Sequence, residues 1–250
     1  MSVGIAVVTG AARGIGAEIA RRLAADGYDL AVLDRQVDGS DRLKEEIQQQ
    51  GRRVLVASLD VTDECSVKQA VADVVAQLGP PTVLVNNAGV MKSRMAHRLS
   101  VEDWELVIDV NLKGAFLMSR EVIPHMKTLA WGRIINLSSM GALGLAGSSN
   151  YAAAKAGVQG LTKSLSLELG RHNITVNAVS PGFVVTDMTR QVAEAGGQTV
   201  EALALDMAED VAVGRAGTPA DIAHVVSFFA DERSSYISGQ ILYATGGPKT

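Results

Sequence analysis

The chain has 250 residues, 47% of them hydrophobic, with 23 Lys and Arg against 27 Asp and Glu for a formal net charge of −4. Because the two signs are scattered rather than blocked, neither nucleic acid nor an anionic membrane surface is the expected partner, and small soluble molecules are. Cys65 is the only cysteine, which excludes an intrachain disulfide and leaves a thiolate nucleophile or zinc cluster without supporting ligands.

A chain of this length buries a sizeable core and suits one large α/β domain over residues 1–250. An apolar strand opening at Val3 to Ile5 leaves no room for a secretory leader, and no run of about 18 apolar residues offers a membrane span, so a cytoplasmic location is expected. β-rich runs at Ile5–Val8, Leu30–Leu33, Val54–Ala57, Val83–Val85, Ile134–Leu137, Thr175–Val179 and Gln240–Tyr243 alternate with stretches of helical period, which predicts parallel strands with covering helices. The first helix carries Ile15, Ile19, Ala20 and Leu23 at three-to-four spacing and stops at Asp26-Gly27, a glycine cap. A long helix over Val101–Met126 should be kinked or ended by Pro124. The helix from Tyr151 has Val158, Leu161, Leu165 and Leu169 on its apolar stripe and ends at Gly170, with Gly157 and Gly160 permitting close packing. From Pro181 to Pro219 there is no strand signal, and a segment of about forty residues there is long enough to be a covering element.

Between the first strand and helix lies Thr9-Gly10-Ala11-Ala12-Arg13-Gly14-Ile15-Gly16, a turn whose glycines let the backbone approach a pyrophosphate while the helix N-terminus stabilises its charge. A tight turn alone also demands glycine, so this motif gains its weight from residues further along the chain. Asp34 ends the second β-rich run, where a carboxylate can accept both ribose hydroxyls of an adenosine and repel a 2′-phosphate; this predicts NAD over NADP, with Arg13 and Arg35 pulling the other way. Tyr151 and Lys155 stand at i and i+4 of a helix, on one face, so phenol and ammonium share a site. A phenol with pKa about 10 is a poor acid or base at neutral pH, but a nearby cation favours the phenolate and suits it to proton exchange with an alcohol or ketone oxygen.

With Gly10, Gly14 and Gly16, then Asn86-Asn87-Ala88-Gly89, Ser138-Ser139, Tyr151 with Lys155, and Pro181-Gly182 in this order, the chain resembles the classical short-chain dehydrogenase/reductase family. The resemblance covers about residues 3 to 247 and is strongest to the branch of 3-oxoacyl-carrier-protein reductases and sugar or polyol dehydrogenases. It implies a single doubly wound Rossmann-type α/β domain, a seven-stranded parallel sheet with helices on both faces, binding a nicotinamide dinucleotide.

Carried over by position, the resemblance makes Tyr151 the general acid/base and gives Lys155 the tasks of lowering the phenol pKa and holding the nicotinamide ribose. Asn111 matches the asparagine that helps hold a relay water. For the serine that polarises the substrate oxygen, counting thirteen back from Tyr151 gives Ser138, whereas the strand pattern Gly132 to Ser139 and the distance from Asn111 both give Ser139, which we assign. Asn87, Ala88 and Gly89 line the adenosine-ribose side, Asp60 and Val61 lie beside the adenine, and Pro181, Gly182, Val184 and Thr186 meet the nicotinamide. Beyond them a substrate lid over about 187–215 offers Met188, Leu203 and Met207 as contacts, although packing of a helix stripe explains these residues as well. No metal is expected, since His97, His125, His172 and His224 show no ligand spacing. The reading is an NAD(H)-dependent interconversion of a secondary alcohol and a ketone by a homotetramer; the alternative is an NADPH-dependent 3-oxoacyl thioester reductase.

Overall fold

In the computed structural model, which describes residues 4–247, seven strands run Ile5–Thr9 (β1), Asp29–Asp34 (β2), Val54–Ser58 (β3), Val83–Asn86 (β4), Gly132–Leu137 (β5), Ile174–Pro181 (β6) and Ile241–Ala244 (β7). They make one sheet of order β3-β2-β1-β4-β5-β6-β7, every neighbouring pair parallel. The helices are Gly14–Ala25 (α1), Asp41–Gln49 (α2), Glu64–Gln77 (α3), Val101–Ile108 (α4), Gly114–Leu129 (α5), Ser149–Leu169 (α6), Asp187–Ala195 (α7), Val200–Glu209 (α8) and Pro219–Ala230 (α9). The expected strand start at Val3, and the side chains of Met188, Gln191 and Ala195, lie outside the described residues.

Alternation along the strands splits the core in two, because successive side chains of a strand leave opposite faces. On one face Ala6, Val8, Leu30 and Val32 meet Ile19 and Leu23 of α1, Ile47 of α2 and Phe229 of α9. On the other, Val7, Ala31, Leu33 and Leu84 meet Val67 and Val74 of α3 and Met118 and Val122 of α5. Truncating one such fully buried side chain, Met118→Ala for example, costs about 2–5 kcal/mol. β1 pairs with β2 on one side and β4 on the other, so the chain reverses its winding between β1 and β4 and opens a crevice at their C-terminal ends.

Three local expectations change. The Val101–Met126 helix is divided by a π-helical turn at Asp109–Lys113, one of the short turns that recur at functional sites. Pro124 does not end α5, which runs on to Leu129 because Met126 is fully buried in the core and holds the last turn. Of the two α6 glycines only Gly157 faces a close neighbour, where an added Cβ would lie 2.7 Å from Leu112; Gly160 has nothing within 4 Å. α6 ends at Gly170 as expected, its C-cap in right-handed geometry, and the left-handed residue that follows is Asn173, at φ 58°.

The segment after β6 holds α7 and α8 and is fastened at both ends. At its base Gly217 N–H donates to Phe183 (2.9 Å) and Val185 N–H to Gly217 (3.1 Å). Past α8, Ala212 N–H donates to the Gly247 carbonyl (2.6 Å) and Val213 N–H to Gly246 (3.1 Å).

Candidate active site

The β1–α1 turn is held open by missing side chains. Gly10 and Gly14 have φ of +62° and +57°, and a Cβ on Gly10 would stand 2.8 Å from the Ala88 Cα. Asn87 clamps the turn from β4: its Nδ2 donates to the carbonyls of Thr9 and Gly10, both at 2.9 Å, while the Thr9 hydroxyl accepts from the amides of Asn87 and Ala88, both at 3.1 Å. Arg13, the residue before α1, is extended and gives no side-chain cap, so the first amides of the helix point into the crevice unclaimed by a side chain. An uncapped helix start behind a glycine cradle fits a pyrophosphate.

Asp34, at the end of β2, turns its carboxylate to the same place, accepting from Ala12 N–H and Gln36 N–H, both at 3.1 Å. Arg13 and Arg35 are exposed, and neither forms an ion pair among the described residues. Asp60 follows β3 and accepts from the amide (2.9 Å) and hydroxyl (2.7 Å) of Thr62; these bonds hold its carboxyl below the usual range. Val61 beside it is buried, packed so closely on Gly114 that a Cβ there would lie 2.8 Å away.

At the C-terminal end of β5 three consecutive residues meet α6. The Leu137 carbonyl accepts from Lys155 Nζ at 2.7 Å, Ser138 Oγ donates to the Lys155 carbonyl at 3.0 Å, and the Ser139 hydroxyl is hydrogen-bonded to the Tyr151 phenol. The two serines therefore have different surroundings: Ser138 is buried behind the helix, whereas half-buried Ser139 faces the phenol and also accepts from Gly141 N–H at 3.0 Å. Burial pushes the Tyr151 phenol above its ordinary pKa, with the Ser139 bond acting against it. Desolvation thus sets the direction of the shift, and the lowering influence here comes from Ser139. Lys155 Nζ lies 5.6 Å from the phenol ring centroid, and burial lowers its own pKa to about 8.

Asn111 sits in the π-helical turn, its Nδ2 donating to the carbonyls of Val90 (2.8 Å) and Val107 (2.9 Å). Its Oδ1 is buried without a partner among the described residues. A Cβ on Gly89 would lie 2.8 Å from that oxygen and 3.7 Å from Lys155 Nζ, so the bare glycine keeps open a space the two groups share. A polar pocket bordered by an orphaned acceptor and an ammonium suits a water.

Pro181 closes β6, Gly182 N–H donates to the Ala244 carbonyl at 3.1 Å, and Val184 is buried. Thr186 caps α7 in a reciprocal pairing with Thr189, and its side chain lies 4.0 Å from where a Cβ on Gly14 would be, so the covering segment reaches the glycine turn. Among the lid residues Leu203 is half-buried and Met207 is 38% exposed, while Met188 lies outside the described side chains. Thr9 and Asn150 join the site without having been expected. Asn150 Nδ2 donates to the Lys92 carbonyl (3.1 Å) and its Oδ1 accepts from Tyr151 N–H (2.8 Å), roles that no spacing in the sequence marks.

The model of the short chain dehydrogenase family matches residues 4–197. The chain is 42% identical over 243 residues to the short-chain reductase protein NovJ of Streptomyces niveus, covering 97% of this chain and 93% of that one. It is also 42% identical over 244 residues to the 3-oxoacyl-[acyl-carrier-protein] reductase FabG of Staphylococcus epidermidis, covering 97% of each. Among solved structures, levodione reductase superimposes with a TM-score of 0.93 at 29% identity, over 98% of this chain and 97% of that one.

Proposed function

Since this chain belongs to the short-chain dehydrogenase/reductase family and is an oxidoreductase, we propose that it interconverts a secondary alcohol and a ketone with NAD(H), Tyr151 exchanging the proton. The observation that carries this reading is the meeting of Ser139, Tyr151 and Lys155 at the end of β5. A nicotinamide dinucleotide, when bound, would supply the hydride acceptor or donor. The amides of Gly14, Ile15 and Gly16 would hold its pyrophosphate, Asp34 the adenosine ribose, Asp60 and Val61 the adenine, and Val184 and Thr186 the carboxamide.

In oxidation the Tyr151 phenolate takes the hydroxyl proton while the Ser139 hydroxyl holds the substrate oxygen; in reduction the phenol returns the proton to that oxygen. Lys155 holds positive charge beside the phenolate as it forms, and Asn111 Oδ1 anchors a water through which that proton reaches solvent. Residues 187–215 form the substrate cover within a single catalytic domain. The same proposal includes a homotetramer, with the helices of Asn111 and Tyr151 forming one interface and the C-terminal strand near Tyr243 another, and residence in the cytoplasm; exposed Phe116, Leu167 and Tyr243 on these elements support it. Light scattering at micromolar concentration checks the assembly, and a monomer overturns it. Among the described residues no helix is long and apolar enough to cross a membrane.

A second reading, NADPH-dependent reduction of a 3-oxoacyl thioester, draws on the loop after β4. Lys92, Arg94, His97 and Arg98 are exposed there and none joins an ion pair among the described residues; the sequence shows no strong basic cluster, but the bond from Asn150 to the Lys92 carbonyl brings the start of this loop next to the residue before Tyr151. Such a rim suits the anionic end of a thioester carrier. Titration with NADH and NADPH, read by quenching of Trp104 and Trp131, separates the two readings. A preference for NADH of about tenfold, worth about 1.4 kcal/mol, supports the first; the reverse preference moves the second to the front.

A further inference from the structure

Gln159 lies on α6 one turn beyond Lys155 and is half-buried. Its Nε2, with two protons to give, lies within hydrogen-bonding distance of Ser138 Oγ (3.1 Å), Tyr243 Oη (3.2 Å) and Ser180 Oγ (3.3 Å), Ser138 being the nearest, and Tyr243 Oη alternatively donates to its Oε1 (3.4 Å). One side chain thus joins the ends of β5, β6 and β7 to the helix that bears Tyr151 and Lys155. Neither composition nor helical spacing marks it, because an amide on a helix face is ordinarily solvated.

The direction of these bonds matters. A serine hydroxyl has one proton and a freely turning rotor. By donating to Ser138 Oγ, Gln159 leaves the Ser138 proton for the Lys155 carbonyl. That carbonyl is also the i−4 acceptor for the Gln159 amide within the helix, so amide side chain, serine and helix backbone close a ring. The ring fixes Ser138 between Leu137, which holds the Lys155 ammonium, and Ser139, which holds the Tyr151 phenol.

We infer that Gln159 is a positioning residue for the proton-transfer pair, acting through Ser138 to set the separation of β5 from α6. Ser138 is accordingly an orienting group, and Tyr243, 39% exposed on the last strand, is the outer end of the link. The inference goes beyond the proposed reaction but rests on Tyr151 and Lys155 as its reacting pair. Misplacing catalytic groups by a fraction of an ångström lowers turnover without touching binding.

The test compares Gln159→Leu, Ser138→Ala, their double variant and Tyr151→Phe with the parent protein. The readouts are ethyl acetoacetate reduction, dinucleotide affinity by fluorescence, and amide exchange at Gly141 and Ala142, which hydrogen-bond to Ser139. Gln159→Leu is expected to lower kcat about tenfold, with dinucleotide Kd within about twofold, faster exchange at those amides, and a double variant no worse than the poorer single one. Unchanged exchange, additive losses, or a loss that appears in dinucleotide Kd instead of kcat overturns the inference. Normal turnover in Gln159→Leu beside an inactive Tyr151→Phe overturns it alone; retained turnover in Tyr151→Phe removes the proposed reaction and the inference with it.

Discussion

Lys155 Nζ is buried 5.6 Å from the centroid of the Tyr151 ring, and its one hydrogen-bond acceptor among the described residues is the Leu137 carbonyl. Its pKa falls from 10.5 to about 8, so the unfolded chain binds more protons than the folded one between those values. The sign follows: the charge costs stability fully below about pH 8, and the cost fades as pH rises toward 10.5. The shift corresponds to about 3 kcal/mol, from which an orphaned Leu137 carbonyl would subtract about 1–3 in Lys155→Met. Lys155→Met is therefore expected to melt no lower than the parent at pH 7 while losing turnover. A destabilised variant, by denaturant melts at pH 7 and 10, would count against the burial account.

The two serines predict unequal losses. Ser139→Ala removes the hydroxyl that faces the phenol and is expected to lower kcat by about a hundredfold or more, Ser138→Ala only about tenfold. Because the Ser139 bond lowers the phenol pKa against burial, Ser139→Ala also moves the alkaline rise of alcohol oxidation to higher pH. Steady-state rates across pH check both statements, and the opposite ranking reverses the assignment.

Asp34→Asn removes the charge and keeps an acceptor oxygen for only one of the Ala12 and Gln36 amides, which bond to different oxygens of the Asp34 carboxylate. NADH affinity should fall about tenfold and NADPH affinity rise, as repulsion of a 2′-phosphate is lost. Fluorescence titration gives both constants, and an unchanged ratio would dismiss Asp34 as the discriminator.

A Cβ on Gly16 would stand 2.5 Å from Asn87 Nδ2 and closer still to the Gly10 carbonyl oxygen. Gly16→Ala must open the turn against its clamp, which should cost about 1–3 kcal/mol of stability and most of the dinucleotide affinity. Melting and NADH titration of the same sample check it; an unaffected turn would mean that the cradle is softer than its packing.

The seven strands were legible in the sequence because each is a short apolar run between turn signals, and the observed bounds differ from the expected ones by a residue or two at most strand ends. Gly10, Asp34, Tyr151 and Lys155 were legible for another reason, since their spacing states which face or turn they share. What spacing cannot state is contact across elements. Thr9 with Asn87, Ser138 with Gln159, and Asn150 with Lys92 join residues far apart in the chain through one or two hydrogen bonds each. The π-helical turn escaped for a similar reason: inserting one residue's worth of slack leaves the apolar period of α4 and α5 almost intact.

The pairing of Ala212 and Val213 with Gly247 and Gly246 has a practical side. A purification tag or fusion partner joined just past Gly247 would pull on the backbone pairing that lies just beyond α8, beside the proposed substrate cover. One joined ahead of Gly4 would emerge at the start of β1, at the opposite end of the strands from the crevice, which makes the amino side the safer handle for assays of binding and turnover.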